Sequence, residues 1–269
     1  MSRDPHDTIG EEGQVNETRK RIPPWIRMKL HTGPNRQFVG ELLDDLELNT
    51  VCQSAKCPNL GECWHCRTAT FMILGNRCTR NCKFCAVDSR RPEPPDPDEP
   101  HKLAEAAARM ELKFVVITSV DRDDLPDKGA GHWAATIRAV RERLPDAGIE
   151  VLTPDFMGRE DLIKIVVDAE PRVFAHNLET CERLTREIRS GNRYERSLEV
   201  LKIAREVAEH PLAIKSGIMV GLGESDDEVE TCIRDLYAAG VDILTLGQYL
   251  QPSREQRDVQ RYVPPEQFA

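Results

Sequence analysis

Apolar residues along the chain recur in two rhythms. Short, nearly uninterrupted apolar runs occur at Thr70–Leu74, Phe114–Ser119, Ile149–Thr153, Arg172–His176, Ala213–Val220 and Ile243–Gln248. Such runs predict strands buried on both faces, as in a parallel sheet covered by its crossover helices. Between them the apolar positions fall at helical spacing, which predicts helices over Leu103–Met110, His132–Leu144, Glu160–Val167, Ser197–Glu209 and Asp227–Ala239. Upstream, Phe38, Leu42, Leu43 and Leu46 mark one more short amphipathic helix. The stretch Thr50–Cys66 has no period and contains Pro58 and Gly61, so it reads as a loop. The fold class is therefore α/β, a partial (β/α)6 TIM-type barrel with its last helix missing or incomplete, preceded by a cysteine-rich extension. The chain divides into a polar lead-in over 1–34, a helix and cysteine-rich loop over 35–68, the barrel over 69–253, and a closing segment over 254–269.

Chemistry in such barrels collects where the strands end. The first predicted strand leads to Cys78, Cys82 and Cys85, and the second to Ser119, Asp121, Asp123 and Asp124. The third leads to Pro154 and Asp155, and the fourth to His176, Asn177 and Glu179. The fifth leads to Gly221, Gly223 and Glu224, and the sixth to Gln248 and Tyr249. One polar residue after a strand is common in any fold. Six such groups converging on one rim form a site.

Composition narrows the chemistry. With 269 residues, 39% hydrophobic and 31% charged, the chain has an ordinary soluble balance. A formal charge of -9 speaks against nucleic acid, and the basic cluster Arg19, Lys20, Arg21, Arg27 and Lys29 reads as a solvated arm. No apolar run approaches the ~20 residues that span a bilayer. The first residues carry Asp4, Asp7, Glu11, Glu12 and Glu17, unlike a secretory signal or a transit peptide, so a cytoplasmic location is expected. Of the nine cysteines, seven crowd between Cys52 and Cys85, which suits metal binding better than a disulfide framework. Cys181 and Cys232 stand apart and read as buried, inert thiols, while His132 and His176 read as packed or hydrogen-bonding residues.

Cys78-x3-Cys82-x2-Cys85 places three thiolates on one short loop, enough for three irons of a cubane cluster. The fourth iron is then open to a small molecule, and Phe84 sets an aromatic ring beside it. Cys52-x4-Cys57-x5-Cys63 also supplies three thiolates, so a cluster there takes a fourth ligand from elsewhere, with Cys66 and His65 nearby. A competing reading pairs Cys63-x2-Cys66 with Cys82-x2-Cys85 as a structural zinc ribbon. That leaves Cys52, Cys57 and Cys78 without roles and turns the apolar run Thr70–Leu74 into a connector.

The triplet after the first strand, with its aromatic neighbour, resembles the radical S-adenosylmethionine superfamily. Within it, the segments Thr50–Trp64, Ala69–Gly75, Thr118–Leu125, His176–Thr180, Lys215–Glu224 and Leu246–Ser253 are similar to the lipoyl synthase family. The resemblance implies insertion of two sulfur atoms at C6 and C8 of an octanoyl chain on a lysine of a lipoyl-carrier domain or glycine cleavage H protein. It implies two 4Fe-4S clusters and S-adenosylmethionine. The cluster on Cys78, Cys82 and Cys85 would generate a 5′-deoxyadenosyl radical, with ferredoxin or flavodoxin as electron donor. The cluster on Cys52, Cys57 and Cys63 would surrender sulfur. The same resemblance sets Ser119 and Asp121 near the amino acid end of the cofactor, Asn177 and Glu179 near its ribose, Phe84 near its adenine, and Gly221 at a close backbone approach. Two departures stand out. Members of the family continue past a segment like Tyr262-Val263-Pro264-Pro265 to an Arg-Ser-Ser-Tyr segment whose serine closes the donor cluster, whereas the last serine here is Ser253. Lys128 stands where the family tends to have glycine, and it strains the backbone only if φ is positive there.

Overall fold

The computed structural model describes residues 22–26 and 33–268. The basic cluster from Arg19 to Lys29 lies outside them. Helix α1 (Pro34–Asp45) opens on a proline at its first position and buries Val39, Leu42 and Leu43. It leads to the short strand β1 (Asn49–Thr50) and the helices α2 (Val51–Ser54) and α3 (Leu60–His65). Strand and helix then alternate: β2 (Thr70–Ile73), α4 (Glu99–Arg109), β3 (Phe114–Ser119), α5 (Ala130–Arg143), β4 (Gly148–Leu152), α6 (Glu160–Val167) and β5 (Val173–Ala175). After β5 come α7 (Glu182–Ile188), α8 (Tyr194–Glu206), β6 (Ala213–Val220), α9 (Asp226–Ala238) and β7 (Ile243–Gln248).

The sheet runs β1 to β7 in chain order, with β1 antiparallel to β2 and every other pair parallel. No pairing joins β7 back to β1, so the barrel is partial, as its sequence predicts. The register brings Ile73 beside Ser119, Thr118 beside Leu152, Leu152 beside Ala175 and Ala175 beside Lys215. The residues that follow β2 to β5 therefore meet on one rim. Phe71, Ile117, Val151, Phe174 and Ile214 are wholly buried in the core. Start signals are explicit in α9, where the Ser225 hydroxyl accepts from the Glu228 N–H and the Glu228 carboxylate accepts from the Ser225 N–H.

Three helices depart from the expectation. The stretch Thr50–Cys66 is not a loop but holds the end of β1 and the helices α2 and α3. These helices are four and six residues long, too short to display a period. The Thr50 hydroxyl starts the first of them by accepting from the Gln53 N–H at 3.3 Å. Helix α7 also goes unannounced, because seven residues show barely two apolar turns. Lys128 adopts φ 54, so the left-handed conformation is required there, and its ammonium donates to the Asp123 carbonyl at 2.7 Å. Among the described residues no helix is long and apolar enough to cross a membrane.

Candidate active site

The loop after β2 is fastened to its neighbours from within. The Cys78 N–H donates to the Asp88 carbonyl at 2.8 Å, the Thr79 N–H to the Asp121 carbonyl at 3.0 Å, and the Lys83 N–H to the Ile188 carbonyl at 2.8 Å. Arg80, inside the triplet, has a side chain only 3% exposed. Its guanidinium grips Asp123 through two hydrogen bonds of 2.7 and 2.9 Å and reaches Asp155 at 2.7 Å and Asp121 at 3.3 Å. Asp155 is fully buried and also pairs with Arg196 at 2.8 Å. Burial alone would raise the Asp155 pKa, yet the Arg80 hydrogen bond and charge hold it at about 2. One arginine thus ties the cysteine loop to the ends of β3 and β4.

Cys78, Cys82 and Cys85 line a cavity of about 200 Å³ at this rim. Phe84, Ser119, Asp121, Asn177 and Glu179 line it as well. Burial, with Asp121 alongside, pushes the Cys78 thiol up to about 12, and burial pushes Cys82 to about 11 and Cys85 upward. Burial also moves Asp121 to about 6 and raises Glu179. The cavity further holds polar atoms that the protein leaves unpaired, namely Ser119 Oγ, Arg189 Nε and Asn192 Oδ1. Unpaired donors, acceptors and carboxyl groups beside three thiols fit a zwitterionic ligand next to a metal centre. Among the described residues no three histidine, cysteine or acidic side chains stand close enough to hold a single ion.

The second triplet forms a separate group. Cys52 lies on α2 and is 6% exposed, and Cys63 lies on α3. The Cys63 thiol is raised by burial and then by Cys52, Cys57, Glu62 and Cys66. The surroundings of Cys82 are instead Arg189, Asp121 and Cys85. Among the described residues no group of three or more cysteine, histidine or acidic side chains is placed to hold a single ion, so Cys63, Cys66, Cys82 and Cys85 do not come together as a zinc ribbon. The segment that carries the second triplet nonetheless reaches the cavity of the first. Val51, next to Cys52, lines the cavity together with Met72 of β2, and β1 pairs with β2 through Asn49–Met72 and Thr50–Phe71.

Other expectations resolve individually. Cys181 and Cys232 are buried, and His132 approaches the Glu99 carboxylate at 2.6 Å. His176 is buried against the Thr153 carbonyl at 2.9 Å and the Ser197 hydroxyl at 3.1 Å. Gly221 is not among the residues that line the cavity. Its φ of 102 and missing Cβ accommodate the Gln248 amide and the Arg261 carbonyl, so the close approach is to the chain's own closing segment. Arg80, Arg189, Asn192 and Arg196 went unnoticed in the sequence. The signal for Arg80 was its position inside a cysteine triplet facing strand ends rich in aspartate.

The Radical SAM superfamily description matches residues 72–236. A lipoyl synthase from Thiobacillus denitrificans is 55% identical over 257 residues, covering 95% of this chain and 82% of that protein. One from Thermus thermophilus is 54% identical, covering 91% and 76%. Among solved structures, methylornithine synthase (PylB) superposes with a TM-score of 0.57 at 15% identity, covering 82% of this chain and 68% of that one. Streptococcus suis SuiB bound to S-adenosylmethionine gives 0.57 at 14% identity, covering 84% and 53%. These two likenesses concern the fold.

Proposed function

Because the chain belongs to the lipoyl synthase family of the Radical SAM superfamily, we propose that it inserts sulfur at C6 and C8 of an octanoyl chain carried as an amide on a lysine. It is a radical S-adenosylmethionine enzyme of lipoyl cofactor biosynthesis, using S-adenosylmethionine and a 4Fe-4S cluster on an octanoylated carrier.

In our reading Cys78, Cys82 and Cys85 hold the cluster that meets S-adenosylmethionine, and Cys52, Cys57 and Cys63 hold a second 4Fe-4S cluster that gives up sulfur. A cluster held by the first triplet, with S-adenosylmethionine beside it, would supply the one-electron chemistry that an unactivated C–H bond requires. The chain's own work is positional. Ser119 and Asp121 bind the amino acid end of the cofactor, Asn177 and Glu179 the ribose, and Phe84 packs near the adenine. Arg80 fixes the cysteine loop against β3 and β4. Val51, Met72, Val87 and Leu152 give the cavity an apolar wall that suits an aliphatic chain and keeps water from it. The carrier is a lipoyl domain or an H protein, and the reductant a ferredoxin or flavodoxin.

The observation that carries this reading is the shared wall, where Val51 beside one triplet and Met72 at the root of the other line the same cavity. The test separates the two triplets. Cys82→Ala should abolish S-adenosylmethionine cleavage. Cys57→Ala should retain cleavage and lose sulfur transfer, read by mass spectrometry of an octanoylated carrier domain. Lipoyl product from the Cys57 variant would remove the sulfur-donor assignment.

A further inference from the structure

β2 ends at Ile73, and the chain turns towards Cys78 through Leu74 and Gly75, both in the left-handed region at φ 67 and 89. Glycine adopts that conformation freely, whereas a leucine persists in it only when its surroundings hold it there. Leu74 is held in three ways. Its N–H, beyond the β2–β3 ladder that ends at Ile73–Ser119, donates to Glu99 Oε2 at 2.8 Å. Its carbonyl accepts from the Arg122 guanidinium at 3.3 Å. Its buried side chain lies against Gly129, where a Cβ would fall 2.5 Å from Leu74 Cδ1. Glu99, the first residue of α4, is itself only 5% exposed, and the same Oε2 meets His132 Nε2 of α5 at 2.6 Å. A buried carboxylate needs donors, and these two supply them from the end of β2 and the start of α5.

We propose that Glu99, steadied by His132, is a positioning residue for the reaction, fixing the turn at Leu74 from which the loop bearing Cys78, Cys82 and Cys85 departs. The inference rests on the reading of that triplet as the holder of the cluster that meets S-adenosylmethionine. Arg80 acts inside the triplet, whereas Glu99 acts at the root of its loop. Of the groups read as binding the cofactor, Ser119, Asp121, Asn177 and Glu179 stand at the ends of β3 and β5 rather than of β2. A shift of the turn therefore moves the three thiols relative to those groups and leaves the groups in place. Misplacing reacting partners by about 1 Å slows the chemical step by up to ~100-fold, while binding made elsewhere is spared.

The experiment uses the chain reconstituted anaerobically with iron and sulfide. Glu99→Leu keeps a side chain of similar bulk and removes the acceptor, and Glu99→Gln restores an oxygen without the charge. Each is assayed for S-adenosylmethionine cleavage per bound cluster and for deuterium uptake resolved by peptide. Glu99→Leu should exchange about tenfold faster over residues 74–85, with β6 and α9 unchanged. Its kcat for cleavage should fall about tenfold, with KM within about twofold. Glu99→Gln should recover most of both. His132→Phe should move both in the same direction by less, and adding it to Glu99→Leu should slow the enzyme no further, because His132 acts through Glu99. Unchanged exchange over 74–85 in Glu99→Leu overturns the proposal, and so does an unchanged kcat per cluster, which leaves Glu99 a packing role alone. Should Glu99→Leu fail to fold, His132→Phe decides by the same two readings, and parental values for either overturn the proposal. A parent enzyme that carries iron yet cleaves no S-adenosylmethionine overturns the underlying reading, an outcome distinct from a defect confined to the variants.

Discussion

Replacing Arg80 by methionine tests whether the cysteine loop is held by charge. The substitution keeps an unbranched side chain of comparable length and deletes the guanidinium. Asp123 and Asp121 have side chains 35% and 20% exposed, so water can take over much of what they lose. Asp155 is 0% exposed and cannot be rehydrated in place, though Arg196 remains at 2.8 Å. Removing one partner of a buried pair costs about 3–5 kcal/mol, and the surviving Arg196 contact points to the lower end, about 3 kcal/mol. For a large domain that corresponds to a fall in Tm of about 6–12 °C. Urea and thermal unfolding of the cluster-free chain, followed by far-ultraviolet circular dichroism, measure it. Asp155 adds a pH signature. Its pKa is lowered from 3.8 to about 2, so its stabilising contribution is present above pH ~4 and is lost as the pH falls towards 2. The variant should lose less stability over that acid range. A cost under about 1 kcal/mol would mean that the network is solvated and that the loop is held by its backbone bonds alone.

His176 gives a second pH dependence. Burial, reinforced by Arg189, lowers its pKa from 6.5 to about 4, so the unfolded chain binds a proton that the folded chain refuses between those values. Stability should therefore fall as pH drops from 6.5 towards 4, by up to ~1.4 kcal/mol per pH unit, and His176→Gln should flatten that slope in urea titrations. Gly221→Ala should destabilise the fold by about 1–3 kcal/mol, because its Cβ meets the Gln248 amide and lies 2.5 Å from the Arg261 carbonyl at positive φ. Since Gly221 does not line the cavity, S-adenosylmethionine binding by the folded variant, measured by calorimetry, should be unchanged. Weakened binding would bring this turn back into the site.

The partial barrel was legible because strands buried on both faces leave continuous apolar runs, and helices of eight residues or more display a period. Elements shorter than about two turns leave no such mark, which is why α2, α3 and α7 were missed. The two cysteine triplets announced themselves by spacing. The residues that hold them did not, because the partners of Arg80 lie 41 to 75 positions away and come together only through the sheet register. Asn177 shows the same limit. A strand end marked it as polar, but only the fold reveals that Gly217 makes room for it, a Cβ there falling 2.8 Å from its side-chain oxygen.

The relative placement of the two triplets depends on a very small element. β1 contributes two residues, paired with Phe71 and Met72 of β2, and β2 is paired on its other side with β3 over four residues. Side chains alternate faces along a strand, so a one-residue slip of β1 would turn Thr50 away from the core, where it is fully buried. It would also displace the hydroxyl that starts α2, and with it Cys52 two residues further on. The longer β2–β3 ladder fixes Ile73 beside Ser119 and so sets the first triplet. The second triplet relies on additional fastening, which α1 supplies. The Asn35 amide donates to the His65 carbonyl at 2.9 Å, the Arg67 side chain to the Asn35 oxygen at 3.1 Å, and Trp64 packs on Gly40. On the proposed roles, the triplet read as sulfur donor is therefore positioned by one short ladder and one helix, whereas the triplet read as holding the radical-generating cluster is positioned by the barrel's own parallel ladder.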